Sequence, residues 1–508
     1  MAKKYLLGVD IGTSETKGTL CDTEGNILGM QKQKHDLIIP EPGFAEHDPA
    51  EWWSDFCTIT KGLIKAHGID NTDIAGVGSS AVACGLNFLD EKFNPVRNTI
   101  LYGIDTRSLE EIKELNRKIG EERILNQCGS ALSVESYGPK ILWVKNNQSE
   151  IFKKVRYITF APGYINLKLT GKNCIDVYSA YEAQPMYDRF KNEWSTEMCS
   201  YIAPKELLPE IFYSSDVIGY VTAEAQKETG LKEGTPVICG TTDAASEALS
   251  GGVNLPGDTM VMYGSTIFII HVTDKNHEKD NPLWNSVYIF PNTYTVLSGM
   301  ATTGSLTRWL LNTMGADYIE RARQTGEDVY TMLFKNVESI AAGSDGLFIL
   351  PYFAGERMPI KDPLAKGVIF GLNLTHTRDH IVRAALEGIG YGLAQNLDIM
   401  LETGLDIKEI TAIGGGVKNL SWMQIMSDIS GLNQRIMEKN EGASFGDAML
   451  AALGTGVKTL DEIKNWNKTV HLIKPNPRNR EKYDKGKKLF KRLYEENKDL
   501  MHSMEGTI

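Results

Sequence analysis

Two β–turn–β units constrain this chain more than any other feature. The first fills residues 5–30: Tyr5–Asp10 is a β-rich apolar run and I-G-T-S-E-T makes a tight turn. Lys17–Cys21 then resumes the strand, D-T-E-G-N turns again, and Ile27 opens a third strand. The second unit fills residues 258–272, where two apolar strands flank a small-residue turn containing Gly264, Ser265 and Thr266. Two such meanders predict two homologous halves, each with its own sheet and with a seam near Asp243–Gly252. Between them helical periodicity alternates with short strands. Pro49–His67, Thr106–Ile119, Pro139–Asn146 and Asp379–Leu401 read as helices, and Ile74–Ser79, Tyr157–Phe160, Pro236–Cys239 and Ile410–Ile413 as strands. The fold class is therefore α/β. At 508 residues the chain divides into two large domains, residues 1–245 and 246–460, plus a tail, 461–508. Tyr483, Phe490, Leu493 and Tyr494 recur at helical spacing, so the basic tail is expected to be a terminal helix packed on the body.

Charge narrows the function classes. With 54 Lys+Arg against 65 Asp+Glu the formal charge is −11, opposite to the basic footprint of a nucleic-acid-coating protein. An anionic ligand such as ATP remains compatible, because local amides and a Mg²⁺ ion hold phosphates inside an acidic protein. The seven Cys are scattered, odd in number and without a C-x-x-C pair, which fits reduced thiols in a cytoplasmic protein. The apolar run at Tyr5–Val9 is too short for a secretory leader and no 18-residue apolar stretch occurs, so no membrane association is expected.

Four motifs carry chemistry. In D-I-G-T-S-E-T-K, Asp10 ends a strand, small residues let backbone N–H groups approach a phosphate, and Thr13 and Ser14 offer hydroxyls. Lys17 adds a cation, while Asp10 is placed to hold hydrated Mg²⁺. A plain hairpin turn would read the same way. In G-T-T-D, Asp243 follows a buried strand at the mouth of an α/β sheet, as a general base or as a helix N-cap, roles that are compatible. Y-G-S-T at 263–266 is a candidate second phosphate loop. G-G-G-V-K-N at 414–419 lets a nucleotide lie against backbone, whereas a generic strand-to-helix turn needs only one glycine. No Walker A, G-x-S-x-G or H-E-x-x-H pattern occurs, and His376 and His380 are expected to mark a helix start.

In this order the motifs resemble the FGGY family of carbohydrate kinases, within the superfamily of actin, hexokinase and the 70-kDa heat-shock ATPases. S-Y-G-P-K-I-L-W-V-K-N-N at 136–147 resembles the family's first signature, with Tyr137 where a small residue or Pro is usual. G-V-I-F-G-L at 367–372 and H-I-V-R-A-A-L-E-G at 380–388 resemble the second, and G-L-K-E-G-T-P-V at 230–237 and L-P-Y-F-A-G-E-R-M-P at 350–359 also match. The resemblance implies two RNase H-like, actin-like ATPase domains around a central cleft: a sugar-binding N-terminal one with the base, and a nucleotide-binding C-terminal one. By position it makes Asp10 the Mg²⁺ ligand, places Thr13 and Lys17 near the transferred phosphate, and makes Asp243 the base. Gly264, Ser265 and Thr266 would face the ATP phosphates, and Gly414, Gly415, Gly416 and Asn419 would border the adenosine. Family members are often dimers, which admits a homodimer here.

The acceptor is read from departures within that family. Glycerol kinases carry Arg-Glu in the loop after the strand at 74–79, where this chain has S-S-A-V-A-C-G-L, so glycerol is disfavoured. Xylulokinases typically show Q-M-H-G there and Asp-Asn at the base; here Ala83, Cys84 and Asp243-Ala244 stand instead. I-L-Y-G-I-D-T-R at 100–107 keeps the Asp and Arg of the xylulokinase-like Trp-x-Asp-x-Arg. The expectation is a xylulokinase-like enzyme acting on a ketopentose such as xylulose, with Asp105 as a sugar contact or, alternatively, half of an ion pair with Arg107. Ribulose, gluconate or another polyol is the alternative acceptor, and a non-catalytic ATP- or sugar-responsive regulator on the same fold is the alternative class.

Overall fold

The computed structural model describes residues 4–277 and 283–504. Met1–Lys3 and the last residues of the expected tail, 505–508, lie outside the described residues. The chain forms two compact units. Unit 1 comprises 1–254, 285–294 and 441–467, and unit 2 comprises 255–284, 295–440 and 468–508.

In unit 1, β1 (Tyr5–Ile11), β2 (Glu15–Asp22) and β3 (Ile27–Lys34) form the expected antiparallel meander. β1 also pairs in parallel with β4 (Ile74–Ala81). β5 (Val217–Tyr220), β6 (Pro236–Ile238) and the short β7 (Thr241–Thr242) complete a seven-stranded sheet, ordered β5-β6-β4-β1-β2-β3 with β7 on β4. Helix α1 (Pro49–His67) covers one face with Trp52, Trp53, Phe56, Ile59 and Leu63. Its ends are written locally. The Asp48 side chain accepts from Ala50 N–H, proline takes the first turn, and Gly68 closes the helix at φ 59°. α2 (Asp243–Ser250) leaves directly from β7, with Thr242 accepting from Ala245 N–H. A smaller four-stranded sheet (Glu46–His47, Leu86–Leu89, Thr99–Ile100 and Tyr157–Phe160) anchors a separate core around Phe88, Tyr137, Ile158 and Phe160.

Unit 2 repeats the plan. β8 (Thr259–Tyr263) and β9 (Ile267–Thr273) form the second hairpin. With β10 (Trp284–Val287), β11 (Tyr294–Met300), β12 (Glu409–Ile413), β13 (Asn433–Met437) and β14 (Thr469–Ile473) they make another seven-stranded sheet, ordered β10-β11-β9-β8-β12-β13-β14. α3 (Gly304–Met314), α4 (Arg378–Glu402) and α5 (Leu420–Ser430) pack around it. His380 serves the start of α4, its Nδ1 accepting from the Thr377 N–H at 3.1 Å.

A single cut in the chain does not separate the units. After unit 2 the chain returns to unit 1, so residues 441–460, assigned with the second half from the sequence, pack in the first. The returning helix α6 (Ala443–Gly454) lies on β1 and β4 so closely that glycine is needed beneath it. A Cβ at Gly8 would stand 2.0 Å from the Ser444 carbonyl oxygen, and one at Gly78 2.4 Å from the Asp447 carbonyl oxygen. α7 (Arg480–Ser503) is the expected terminal helix, burying Tyr483, Phe490, Leu493, Tyr494 and Met501 in unit 2. Its cations pair along the exposed face, as in Arg480–Asp484 and Arg492–Glu496. Among the described residues no helix is long and apolar enough to cross a membrane.

The Gly8 contact is testable. Gly8→Ala should lower stability by about 1–3 kcal/mol, the usual cost of overpacking a filled core. A thermal midpoint equal to wild type would show that α6 is free to back away from β1.

Candidate active site

Strand register builds the first half of the site. Asp10 lies opposite Lys17 on β2 and opposite Ser80 on β4, so the three side chains share one face of the sheet. Thr241 and Thr242 pair with Ser80 and Ala81, which brings Asp243 to the same strand ends. The sequence separates these residues widely, and hydrogen-bond register alone assembles them.

The cluster is crowded with carboxylates. Asp10 is only 6% exposed; burial and the neighbouring Asp243 push its carboxyl up to about 8 against the pull of Lys17. Asp243 is pushed up to about 6 by burial, opposed by backbone N–H groups of Ala244 and Ala83 and by Lys17. The Ala244 N–H donates to its Oδ1 at 2.8 Å, so the loop after β4 and the start of α2 both hold the carboxylate. Glu247, one turn along α2, is pushed up to about 7 by burial and by Asp243.

Sequence reasoning missed Asp447, which α6 carries beneath the cluster, fully buried. Ser80 Oγ lies 2.8 Å from Asp447 Oδ2 and 3.2 Å from Asp10 Oδ1, and Ser246 Oγ lies 2.6 Å from Asp447 Oδ1. Burial and Asp10 push Asp447 well above the usual carboxylate range. Ser80 has a single hydrogen to share between the Asp447 and Asp10 carboxyls, which ties the two groups together. Nothing local in the sequence marked Asp447, because its partners in unit 1 lie across every unit 2 element from β8 to β13.

The arrangement fits a divalent cation. Lys17, 33% exposed and shared with Glu15 at 3.4 Å, is the lysine that draws Asp10, Asp243 and Glu247 down. Among the described residues no group of three or more His, Cys, Asp or Glu forms a cage for a metal. Mg²⁺ needs none, since it is commonly held by one or two carboxylates together with water and substrate phosphates.

Unit 2 carries the other predicted loops, side by side at adjoining strand ends, where β8 runs parallel to β12. The turn Gly264–Thr266 is braced by the start of α3. Thr303 N–H and Ser305 N–H donate to the Ser265 carbonyl at 3.0 and 3.1 Å, and Gly304 N–H donates to the Gly264 carbonyl at 3.0 Å. The T-T-G-S segment at 302–305 thus belongs with this loop, and the only sequence signal for it was a glycine between a strand and a helix. The three glycines at 414–416 are not equivalent. A Cβ at Gly414 or Gly416 would meet Tyr263 at 2.9 or 2.8 Å, while Gly415 has open space. Asn419 caps α5, its Oδ1 accepting from Trp422 N–H at 2.8 Å.

The sugar-loop residues sit beyond β4 in unit 1. Cys84 adopts φ 59° and is buried, and the hydroxyl of buried Tyr137 meets its backbone. Lys140 is also buried and donates to the carbonyls of Leu101 and Tyr102. Asp105 takes the ion-pair alternative. Fully buried, it accepts from Arg107 Nε at 2.9 Å and Nη2 at 2.6 Å and from Ala45 N–H at 2.7 Å. Arg107 continues to Glu46, which also pairs with Arg97. Those bonds to Asp105 fall on Oδ2, and Oδ1 accepts from Arg107 Nε at 2.9 Å and Arg107 N–H at 3.2 Å, so both oxygens are taken by the protein and neither is left for a sugar.

Known proteins resemble this chain along nearly its whole length. Residues 5–250 match the N-terminal domain, and 259–455 the C-terminal domain, of the FGGY family of carbohydrate kinases. The chain is 29% identical over 505 residues to a xylulose kinase of Bacillus subtilis (strain 168), covering 98% of each. It is 27% identical over 459 residues to an L-xylulose/3-keto-L-gulonate kinase of Escherichia coli (strain K12), covering 89% of each. The crystal structure of a xylulose kinase from Rhodospirillum rubrum superposes with a TM-score of 0.89 at 28% identity, covering 98% of this chain and 100% of that one. With both domains matched in order over most of its length, the chain is a sugar kinase with the two-domain actin-like ATPase fold, and it belongs to the FGGY family of carbohydrate kinases.

Proposed function

We propose that this sugar kinase transfers the γ-phosphoryl group of ATP to a hydroxyl of a neutral ketopentose, with xylulose as the first candidate and Asp243 as the base. The observation that carries the reading is the Asp243 carboxylate, half-buried at the strand ends that also present Asp10 and Lys17. The xylulose kinases among the relatives supply the sugar. The charge near Cys84 supports a neutral acceptor: Glu182 and Glu135 face that loop, and burial and Glu135 push Glu182 up to about 7. A sugar acid would bring a further carboxylate into this acidic wall.

Asp243 takes the proton of the attacking hydroxyl as its oxygen bonds to the γ-phosphorus. The bond from that phosphorus to the bridging oxygen breaks and ADP leaves. Lys17 and the N–H groups of the turn at Thr13 and Ser14 position the transferred group, which needs placement and charge neutralisation more than covalent help. Asp10, with Ser80 and Asp447 fixing its carboxylate, would hold Mg²⁺. That ion neutralises phosphate charge when bound. In unit 2, Gly264, Ser265 and Thr266, braced by Thr303–Ser305, would take the ATP phosphates, and open Gly415 beside Asn419 would border the adenosine.

Coupled ADP detection across xylulose, ribulose, gluconate and glycerol should give the highest kcat/KM with xylulose. ADP formation at one rate with or without any acceptor would sink the kinase reading in favour of a regulator. Asp243→Asn should lower kcat by about 10²–10⁴-fold, with ATP affinity in equilibrium titration kept. A base must be unprotonated, so the rate should fall as pH drops through about 6, the position of Asp243. Lys17 lowers both Asp243 and Asp10, so Lys17→Ala should move this acid limb to higher pH as well as slow turnover. A limb that stays in place would show that another group sets it.

A further inference from the structure

The turn at Gly12–Ser14 has a buried imidazole behind it that the mechanism above does not use. The His35 side chain is 1% exposed. Its Nδ1 lies 3.0 Å from Asp55 Oδ2 on α1, and its Nε2 lies 2.8 Å from the Gly12 carbonyl oxygen. A carboxylate and a carbonyl only accept, so both bonds exist together only when both ring nitrogens carry hydrogen. Asp55 Oδ2 also accepts from Thr16 Oγ1 at 3.0 Å, tying the pair to the far side of the turn.

The neighbouring backbone follows the same plan. His35 N–H donates to the Ser14 carbonyl at 3.2 Å, and Val82 N–H donates to the Ile11 carbonyl at 2.8 Å. The carbonyls of Ile11, Gly12 and Ser14 are thus all held from within the protein. A turn that binds an anion needs this, because a loose carbonyl would swing its negative end toward the phosphate.

A second imidazole, His47, stands edge-on at 4.9 Å between ring centres. Its Nδ1 accepts from the Trp52 indole at 3.1 Å, which places its hydrogen on Nε2, and that nitrogen has no well-formed partner. Burial and His35 hold His47 neutral, down to about 4. His35 moves the opposite way. Asp55, the Gly12 carbonyl and Glu51 raise it against burial, with His47 the other titratable ring beside it. One ring is built to carry charge and the other to remain uncharged against it.

We infer that His35 and Asp55 form a positioning pair for the phosphate turn, in which a buried imidazolium fixes the Gly12 carbonyl and so aims the turn's N–H groups at the transferred phosphoryl. This rests on the phosphate reading of residues 10–17. Asp55→Asn separates charge from shape. Asn accepts from Nδ1–H as well as Asp does but leaves the ring neutral, so Nε2 loses its hydrogen and the Gly12 bond breaks. His35→Phe removes the ring's hydrogen bonds outright, and His35→Gln, which keeps one N–H, stands in if Phe does not fold.

The full-length protein, ¹⁵N-labelled at histidine, should show His35 with both nitrogens protonated at pH 7 and neutral in Asp55→Asn. Both variants should raise the KM for ATP and lower kcat, together about 10–10²-fold in kcat/KM, with the KM for sugar within about twofold. His35 is raised in the folded state, so its stabilisation is complete below the unfolded value of about 6.5 and is lost as pH rises through the folded value. The thermal midpoint difference between wild type and His35→Phe should therefore be larger at pH 6 than at pH 9. A neutral His35 at pH 7, or ATP parameters unmoved in a folded Asp55→Asn, would overturn the pair. Turnover unmoved in Lys17→Ala as well would overturn the phosphate reading beneath it.

Discussion

An acidic side chain at the end of a buried strand, with too little positive charge around it, is the constraint on which unit 1 turns. Asp10 lies one residue before the end of β1, the strand between β2 and β4, where burial and Asp243 both oppose its ionisation. An isolated buried carboxylate would protonate or pull the strand end into solvent. Here it is held by Ser80 from β4, drawn down by Lys17 from β2, and backed by Asp447 from α6. On the function proposed above, a carboxylate kept in place but short of countercharge would favour the arrival of a cation–phosphate complex.

This requirement gives the long return of the chain a physical meaning. α6 is made after every helix and strand of unit 2 up to β13, yet it lies against β1 and β4, and its Ser444 hydroxyl meets Thr19 on β2 at 2.7 Å. Gly8 and Gly78 have no side chain because the α6 backbone occupies that space. Gly446 in turn lets α6 approach α2, where a Cβ would stand 1.9 Å from the Ser246 carbonyl oxygen. The contact that places Asp447 therefore closes a loop of nearly the whole chain, an entropic cost that short-range elements do not bear. Unit 1 is complete only once that segment has been made.

The contrast decides what was legible in the sequence. Both hairpins, the two-sheet plan, α4 and the terminal helix follow from local periodicity and turn residues, and the strands fell within a few residues of their observed bounds. Asp10, Lys17 and Asp243, which strand register brings to one set of strand ends, could be singled out beforehand because each sits in a short motif beside its strand. Asp447, His35 and Thr303 were not, because each acts through partners distant in the chain: Ser80 for Asp447, Asp55 on α1 for His35, Ser265 for Thr303. Asp105 shows the opposite failure. Its motif was visible, but whether a carboxylate faces a ligand or an arginine depends on side-chain packing, and Arg107 took it, itself held over Phe44 at 4.1 Å.

The same distinction separates the glycines at 414–416, which look alike in sequence. Gly414 is at φ 89° with Tyr263 against it, and Gly416 is pressed on the same tyrosine, so these two are consequences of how close the loop after β12 runs to the end of β8. Gly415 alone faces open space, and only there would a side chain intrude on a ligand and not on the protein. A run of glycines in such a loop thus serves two ends at once: packing sets the loop's path, and the one residue that packing leaves free marks where another molecule would lie.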